Sequence, residues 1–176
     1  MPQWLIITLI VIGGIFGLWL LLLAINLIFV GSFSAIFKRH KKAIVVILYT
    51  KLENIKKLVS ILNQSGIKYD AKISNTLYSI NSEDFNEPGS EQFLNSKNSL
   101  SYVKDEIMFI SNENVDLNSD PEFNMYKKNV NDADTQYRNN VIMYNADVLG
   151  YNYWIRFLPC RFIFKLFKVK RKEIIS

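Results

Sequence analysis

From Met1 to Phe37 the chain carries no charged side chain, and the apolar core of that stretch, Trp4 to Val30, is 27 residues long. As a helix rising about 1.5 Å per residue it measures about 40 Å, against a hydrocarbon core of about 30 Å. Between Leu5 and Ile25 stand 15 Leu, Ile, Val or Phe residues. At roughly −0.5 kcal/mol each they favour insertion by about −7 kcal/mol, with no charge in opposition. The stretch predicts a transmembrane helix over residues 4–30, after a short external N-terminus of residues 1–3. A cleaved signal peptide is the competing reading. It needs a basic start and an apolar core of only about 7–15 residues. Here Met1-Pro2-Gln3 has no basic side chain, and Phe33-Ser34-Ala35 puts a large ring where a small residue belongs.

Lys38, Arg39, Lys41 and Lys42 close a basic juxtamembrane segment, residues 31–42. Positive residues beside a span stay in the cytoplasm, so the N-terminus is expected outside and the bulk of the chain inside. Trp4 and these four residues are expected at the membrane interfaces. Gly13 and Gly17 form a G-x-x-x-G pair, which permits close approach of a second spanning helix and hence a homo-oligomer. Asn26, near the inner end, either hydrogen-bonds to a neighbouring helix or sits at the interface.

The net charge of +5 hides a polarised distribution. Residues 156–176 carry seven basic side chains against one acid, whereas residues 43–155 carry 10 basic and 15 acidic ones. A nucleic-acid binder would spread positive charge over its body, so no nucleic-acid partner is expected. The bilayer is the expected partner, and in particular anionic inner-leaflet lipid, worth about 1 kcal/mol per basic residue near the surface. Nothing in the sequence specifies a protein partner.

The body, residues 43–158, reads as helical. Ile44, Leu48, Leu52, Ile55, Val59 and Leu62 recur every three or four residues, one apolar stripe. Nothing breaks the chain between Phe37 and Leu62, so the spanning helix is expected to run on. Gly66 is the first breaker, and Ile73, Leu77 and Ile80 suggest a second helical stretch. Pro88-Gly89 makes Asn81–Ser90 a turn. A helix follows from Glu91 to about Ser111, with Leu100, Val103, Ile107 and Ile110 on one face. Asn112–Ser119 has the composition of a loop. Asp120-Pro121-Glu122 is a helix start, with a capping acid, Pro at the first helical position and an acid in the first turn. From there Phe123, Tyr126, Val130, Ala133, Tyr137, Val141, Tyr144, Val148, Tyr151 and Ile155 form a seam with a period of about 3.6 residues. The tyrosines are expected in the core, each hydroxyl reaching the edge. The fold class expected is all-α: a transmembrane helix continuing into an elongated antiparallel bundle of three to four helices, with a C-terminal amphipathic segment.

Leading into that last segment, residues 159–176, the apolar and aromatic run from Tyr153 to Phe167 reaches only about 22 Å and carries Arg156, Arg161 and Lys165, so it is too short and too charged to span. Pro159 should end the long helix. Beyond it Arg161, Lys165, Lys168 and Lys172 recur at spacings of 4, 3 and 4, the basic face of an interfacial helix on anionic lipid. The alternative is a tail folded back on the bundle.

Chemistry is scarce. A single His40 and a single Cys160 exclude a two-His metal site and a disulfide within the chain. There is no phosphate loop, no H-E-x-x-H and no G-x-S-x-G. Glu83-Asp84, Asp105-Glu106 and Asp132/Asp134 read as solvated helix faces. No catalytic, cofactor-binding or metal-binding residue is expected, and no cofactor. Cys160, between basic residues, is expected to be an inert thiol near lipid; activation or acylation are the alternatives.

The last helix and its tail resemble a known family. Tyr144-Asn145, Val148, Tyr151-Asn152, Ile155, Leu158-Pro159, Ile163, Leu166-Phe167 and Val169 look like the C-terminal signature of bacterial LemA proteins. Asn26-Leu27-Ile28 resembles the family's Asn-x-Leu-Val within the span, and Pro121-Glu122-Phe123 falls where its last helix begins. Leu158 replaces the usual Phe, Lys168 stands where Gly is common, and residues 63–120 match poorly. The resemblance implies an N-terminal membrane anchor, a long helical soluble domain and no assigned catalytic activity. The function expected is a non-enzymatic scaffold or adaptor at the cytoplasmic face of the bacterial plasma membrane. A homo-oligomeric membrane-shaping or pore-forming protein is the alternative, and a membrane-tethered hydrolase a weaker one.

Overall fold

The computed structural model describes residues 2–156, 161–166 and 169–175, the side chains at 34, 162, 163 and 166 excepted. All regular structure among them is helical. The elements are α1 (Gln3–Gln64), α2 (Ala71–Ser79), a 3-10 turn (Ser82–Asn86), α3 (Glu91–Glu113), α4 (Val115–Ser119), α5 (Pro121–Trp154) and α6 (Arg161–Leu166). The apolar stretch therefore does continue without a break into the stripe that begins at Ile44. The helix ends where Gly66 takes a φ of +65°, a left-handed conformation that suits glycine, and the Ile67 amide donates to the Leu62 carbonyl at 3.2 Å.

The chain divides into two compact units, and α1 and α5 contribute to both. The larger one comprises His40–Tyr144 and Ile175–Ser176. Its core is the stripe read from the sequence: Ile44, Leu48, Leu52, Ile55 and Leu62 of α1, Leu100 and Ile107 of α3, and Phe123 and Val130 of α5 are all buried. Phe85 of the 3-10 turn meets Phe93 edge-on at 6.4 Å. Three side chains cap helix starts, because the first amides of a helix have no partner within it. Asp70 accepts from the Lys72 amide at 2.8 Å and Ser90 from the Phe93 amide at 3.1 Å. Asp120 Oδ1 accepts from the amides of Glu122 and Phe123 at 2.8 and 3.2 Å, as Asp120-Pro121-Glu122 predicts. Helices α3 and α5 run antiparallel, since Lys97, Lys104 and Ser111 meet Tyr137, Asp134 and Lys127 in that order.

Two segments expected without helix contain some. Asn81–Ser90 holds the 3-10 turn, closed by a capping box between Asn81 and Asp84. Asn112–Ser119 holds α4, because Leu117 is buried and pins the turn while Asn118 Nδ2 donates to the Ser111 carbonyl at 2.7 Å.

The smaller unit comprises Met1–Arg39 and Asn145–Ile174. Here α1 and the end of α5 also run antiparallel. Phe37 meets the Tyr151 ring at 5.3 Å and Phe29 stacks on Trp154 at 4.9 Å, with only 4° between the planes. Gly150 makes the approach close: a Cβ there would lie 3.3 Å from Phe33 Cζ.

Candidate functional site

Within the smaller unit α1 has two distinct parts. From Trp4 to Leu22 its large apolar side chains face outward: Ile10 is 68% exposed, Ile15 65% and Leu18 61%. This part of the helix is long and apolar enough to cross a membrane, and its most hydropathic 18-residue window buries nothing inside the chain. Further on a buried face begins. Asn26 is buried, Val30 and Phe33 are half-buried, and Phe37 and His40 are buried, leading into Ile44. The spacings of 4, 3, 4, 3 and 4 are those of the stripe from Ile44 to Leu62. The stripe therefore starts inside the apolar stretch, 18 residues before Ile44. Asn26 Oδ1 is buried with no hydrogen-bond partner among the described residues.

The expected interfacial residues divide accordingly. Trp4 is 66% exposed near the start of α1. Lys38, Arg39, Lys41 and Lys42 are exposed, the first two in the smaller unit and the last two in the larger. Gly13 and Gly17 have open space where a Cβ would stand.

The tail departs from a single interfacial helix. Arg161 and Lys165 are exposed on α6, but α6 has only six residues, and from Val169 onward the chain is not helical. Lys172 lies on this non-helical run: its amide donates to Asn152 Oδ1 at 3.1 Å, and Asn152 Nδ2 donates to its carbonyl at 3.0 Å. The tail beyond residue 169 thus folds back along α5, because one carboxamide satisfies both backbone groups of Lys172. Phe164 is buried, and its carbonyl accepts from the Val169 amide at 2.9 Å. Lys168, Leu158, Pro159, Cys160 and Phe167 lie outside the described residues; α5 itself ends at Trp154.

In the larger unit a cluster unites three helices. Lys51 of α1 and Lys104 of α3 both donate to Asp134 of α5, Lys51 to Oδ1 at 2.5 Å and Lys104 to Oδ2 at 2.8 Å. Asp134 is therefore no solvated-face residue. The Lys51 side chain is only 4% exposed, and those of Asp134 and Lys104 17% and 20%. Burial lowers the pKa of Lys51, outweighing its bond to Asp134. For Lys104 burial acts the same way, but the hydrogen bond to Asp134 and the charges of Asp134 and Asp105 overcome it and raise its pKa. Burial would raise the Asp134 pKa; the bonds from Lys104 and Lys51 and their charges overcome that and lower it.

The other carboxylates have structural or solvent settings. Asp84 Oδ2 accepts from the Asn81 amide at 3.1 Å and from Ser96 Oγ at 2.7 Å. Asp132 is exposed, and Asp105 is 72% exposed at its side chain. Of the seam tyrosines, Tyr144 and Tyr151 are buried and Tyr126 and Tyr137 half-buried. The Tyr137 hydroxyl does not reach the edge: it is enclosed without a hydrogen-bond partner among the described residues, and burial raises its pKa. Among the described residues no group of three or more His, Cys, Asp or Glu is placed to hold a metal.

The fold and the site together define an all-α protein whose first helix is long and apolar enough to cross a bilayer and whose helical body is tied by a part-buried ion triad. Comparison with protein-family models, curated proteins and solved structures finds no match to this chain.

Proposed function

We propose that this chain is a single-pass, membrane-anchored, non-enzymatic scaffold or adaptor of the LemA type. Its Trp4 end faces out, its bulk lies at the cytoplasmic face of a bacterial plasma membrane, and its basic residues face anionic inner-leaflet lipid. The observation that carries the reading is the outward-facing apolar surface of α1. Seventeen large apolar side chains between Trp4 and Phe29 are exposed. At roughly 1 kcal/mol for each half-exposed side chain, water contact would cost on the order of 15–20 kcal/mol, and a bilayer removes that cost. The orientation rests on Lys38, Arg39, Lys41 and Lys42 beside the span. A scaffold needs a rigid body more than a cleft, and the triad joining α1, α3 and α5 supplies one.

Alkaline carbonate washing of membranes tests the anchor: the full chain stays with the vesicles, and its release defeats the reading. Protease added to intact spheroplasts tests the orientation, and digestion of the body from outside overturns it. The open face at Gly13 and Gly17 favours a second reading, a homo-oligomer that shapes or perforates the membrane. A monomeric mass for the detergent-purified chain excludes it.

A further inference from the structure

The hydrocarbon slab can be set along α1 in two ways. If its inner boundary lay at the first charge, Lys38, about 20 residues would reach back to Leu18. Phe29 would then lie about 13 Å deep, close to the midplane. The Trp154 ring, stacked on Phe29 at 4.9 Å, would lie there too. Arg156, exposed two residues later in a turn whose amide donates to the Tyr153 carbonyl at 3.0 Å, would be dragged into lipid as well. A mid-bilayer arginine costs about 2.5–3.5 kcal/mol. The backbone of Lys172, held by Asn152, would follow it.

The second register starts from the other end. Trp favours the membrane interface, and Trp4, 66% exposed, sits where the outward-facing surface begins. About 30 Å further along the helix falls close to residue 24. Asn26, the first buried residue of the α1 stripe, stands just beyond that point. Phe29 then lies about 7 Å outside the hydrocarbon, within the headgroup layer. Trp154 and the 62%-exposed Tyr153 meet that level from α5, two residue types that such layers attract. Arg156 is left among phosphates and water. Trp4, Asn26, Tyr153, Trp154 and Arg156 agree with this register, in which Trp19 lies about 7 Å inside the hydrocarbon, and Asn26, Val30, Phe33 and Phe37 become the buried side of α1 beyond the span.

We infer that the end of α5 is a second membrane contact: Trp154, Tyr153 and Arg156, brought to α1 by the Phe29 stack, sit in the phospholipid headgroup layer, and the hydrocarbon boundary lies near residue 24. The inference rests on the spanning reading of α1, and the test separates the two.

Two single-tryptophan forms of the full chain are reconstituted into phosphatidylcholine–phosphatidylglycerol vesicles containing lipids with a nitroxide at the headgroup, at acyl position 5 or at acyl position 12. In W4F/W19F the reporter is Trp154; in W4F/W154F it is Trp19, and Phe keeps a ring on Phe29. Helicity at 222 nm checks that both forms fold. Trp154 fluorescence should be quenched by the headgroup and position-5 labels more than by the position-12 label, by about twofold or more, given the depth separating them. Strongest quenching at position 12 places Trp154 near the midplane and overturns the inference. Quenching by aqueous iodide with none by any lipid label overturns it from the other side. Trp19 reports independently: acyl-chain labels quench it if α1 spans, and if none does the spanning reading itself fails.

Discussion

Replacing Asp134 by alanine removes the one carboxylate that serves both Lys51 and Lys104. Lys51, at 4% side-chain exposure, has no water to turn to. Breaking a buried pair from one side costs about 3–5 kcal/mol, and because Asp134 keeps 17% exposure the lower end applies, about 3 kcal/mol. For a chain of this size that is a fall in Tm of about 6–12 °C. Lys104 is 20% exposed, so Lys104→Met should cost only about 1 kcal/mol. The double variant Lys51→Met/Asp134→Ala removes the stranded ammonium and should recover about half the loss of D134A. Urea titration of the full chain in detergent micelles, followed at 222 nm, reads all of these. The acid limb adds a sign. The folded pKa of Asp134 is lowered, so its contribution is complete above its unfolded pKa of about 3.9 and is lost as pH falls through the lower folded value. The stability gap between wild type and D134A should therefore hold at pH 5–7 and close below about pH 4. A D134A cost under about 1 kcal/mol, or a double variant as unstable as the summed singles, refutes the claim that Lys51 depends on this carboxylate.

Three other substitutions probe single features, each read by the same titration. Gly150→Leu should destabilise by about 1–3 kcal/mol, because a Cβ already stands 3.3 Å from Phe33 Cζ and the added carbons overpack that contact. Asp120→Ala should cost about 1 kcal/mol by freeing the amides of Glu122 and Phe123 at the start of α5; no change would show that Pro121 alone fixes the start. Phe123→Ala, at a fully buried site, should cost about 3–5 kcal/mol, and a smaller loss would mean that the α5 seam tolerates a cavity there.

What the sequence reveals depends on contrast between neighbouring residues. The stripes of α1, α3 and α5 beyond residue 43 are legible because polar residues separate their apolar ones, and burial of Ile44, Leu100 and Phe123 follows the period. Upstream the same stripe runs through Phe37, Phe33, Val30 and Asn26, yet most neighbours there are apolar or small and none before Lys38 is charged, so the period has little to stand against. Asn26 has two explanations in sequence and one position in the fold, on the buried face. Asp134 shows the converse. Beside Asp132 on a polar helix it reads as solvated, and its own side of the pair gives no warning. The warning lies on α1, where Lys51 falls three residues after Leu48 and one before Leu52, on the buried face. A lysine on an apolar stripe demands an acid elsewhere in the chain, but the spacing of α1 cannot say on which helix; only the antiparallel pairing of α3 and α5, which sets Lys104 against Asp134, does so. The tail is hidden for a third reason. Its basic spacing imitates a helix that six residues of α6 do not sustain, because Asn152, 20 residues earlier in the chain, offers the Lys172 backbone both hydrogen bonds that a helical turn would have supplied.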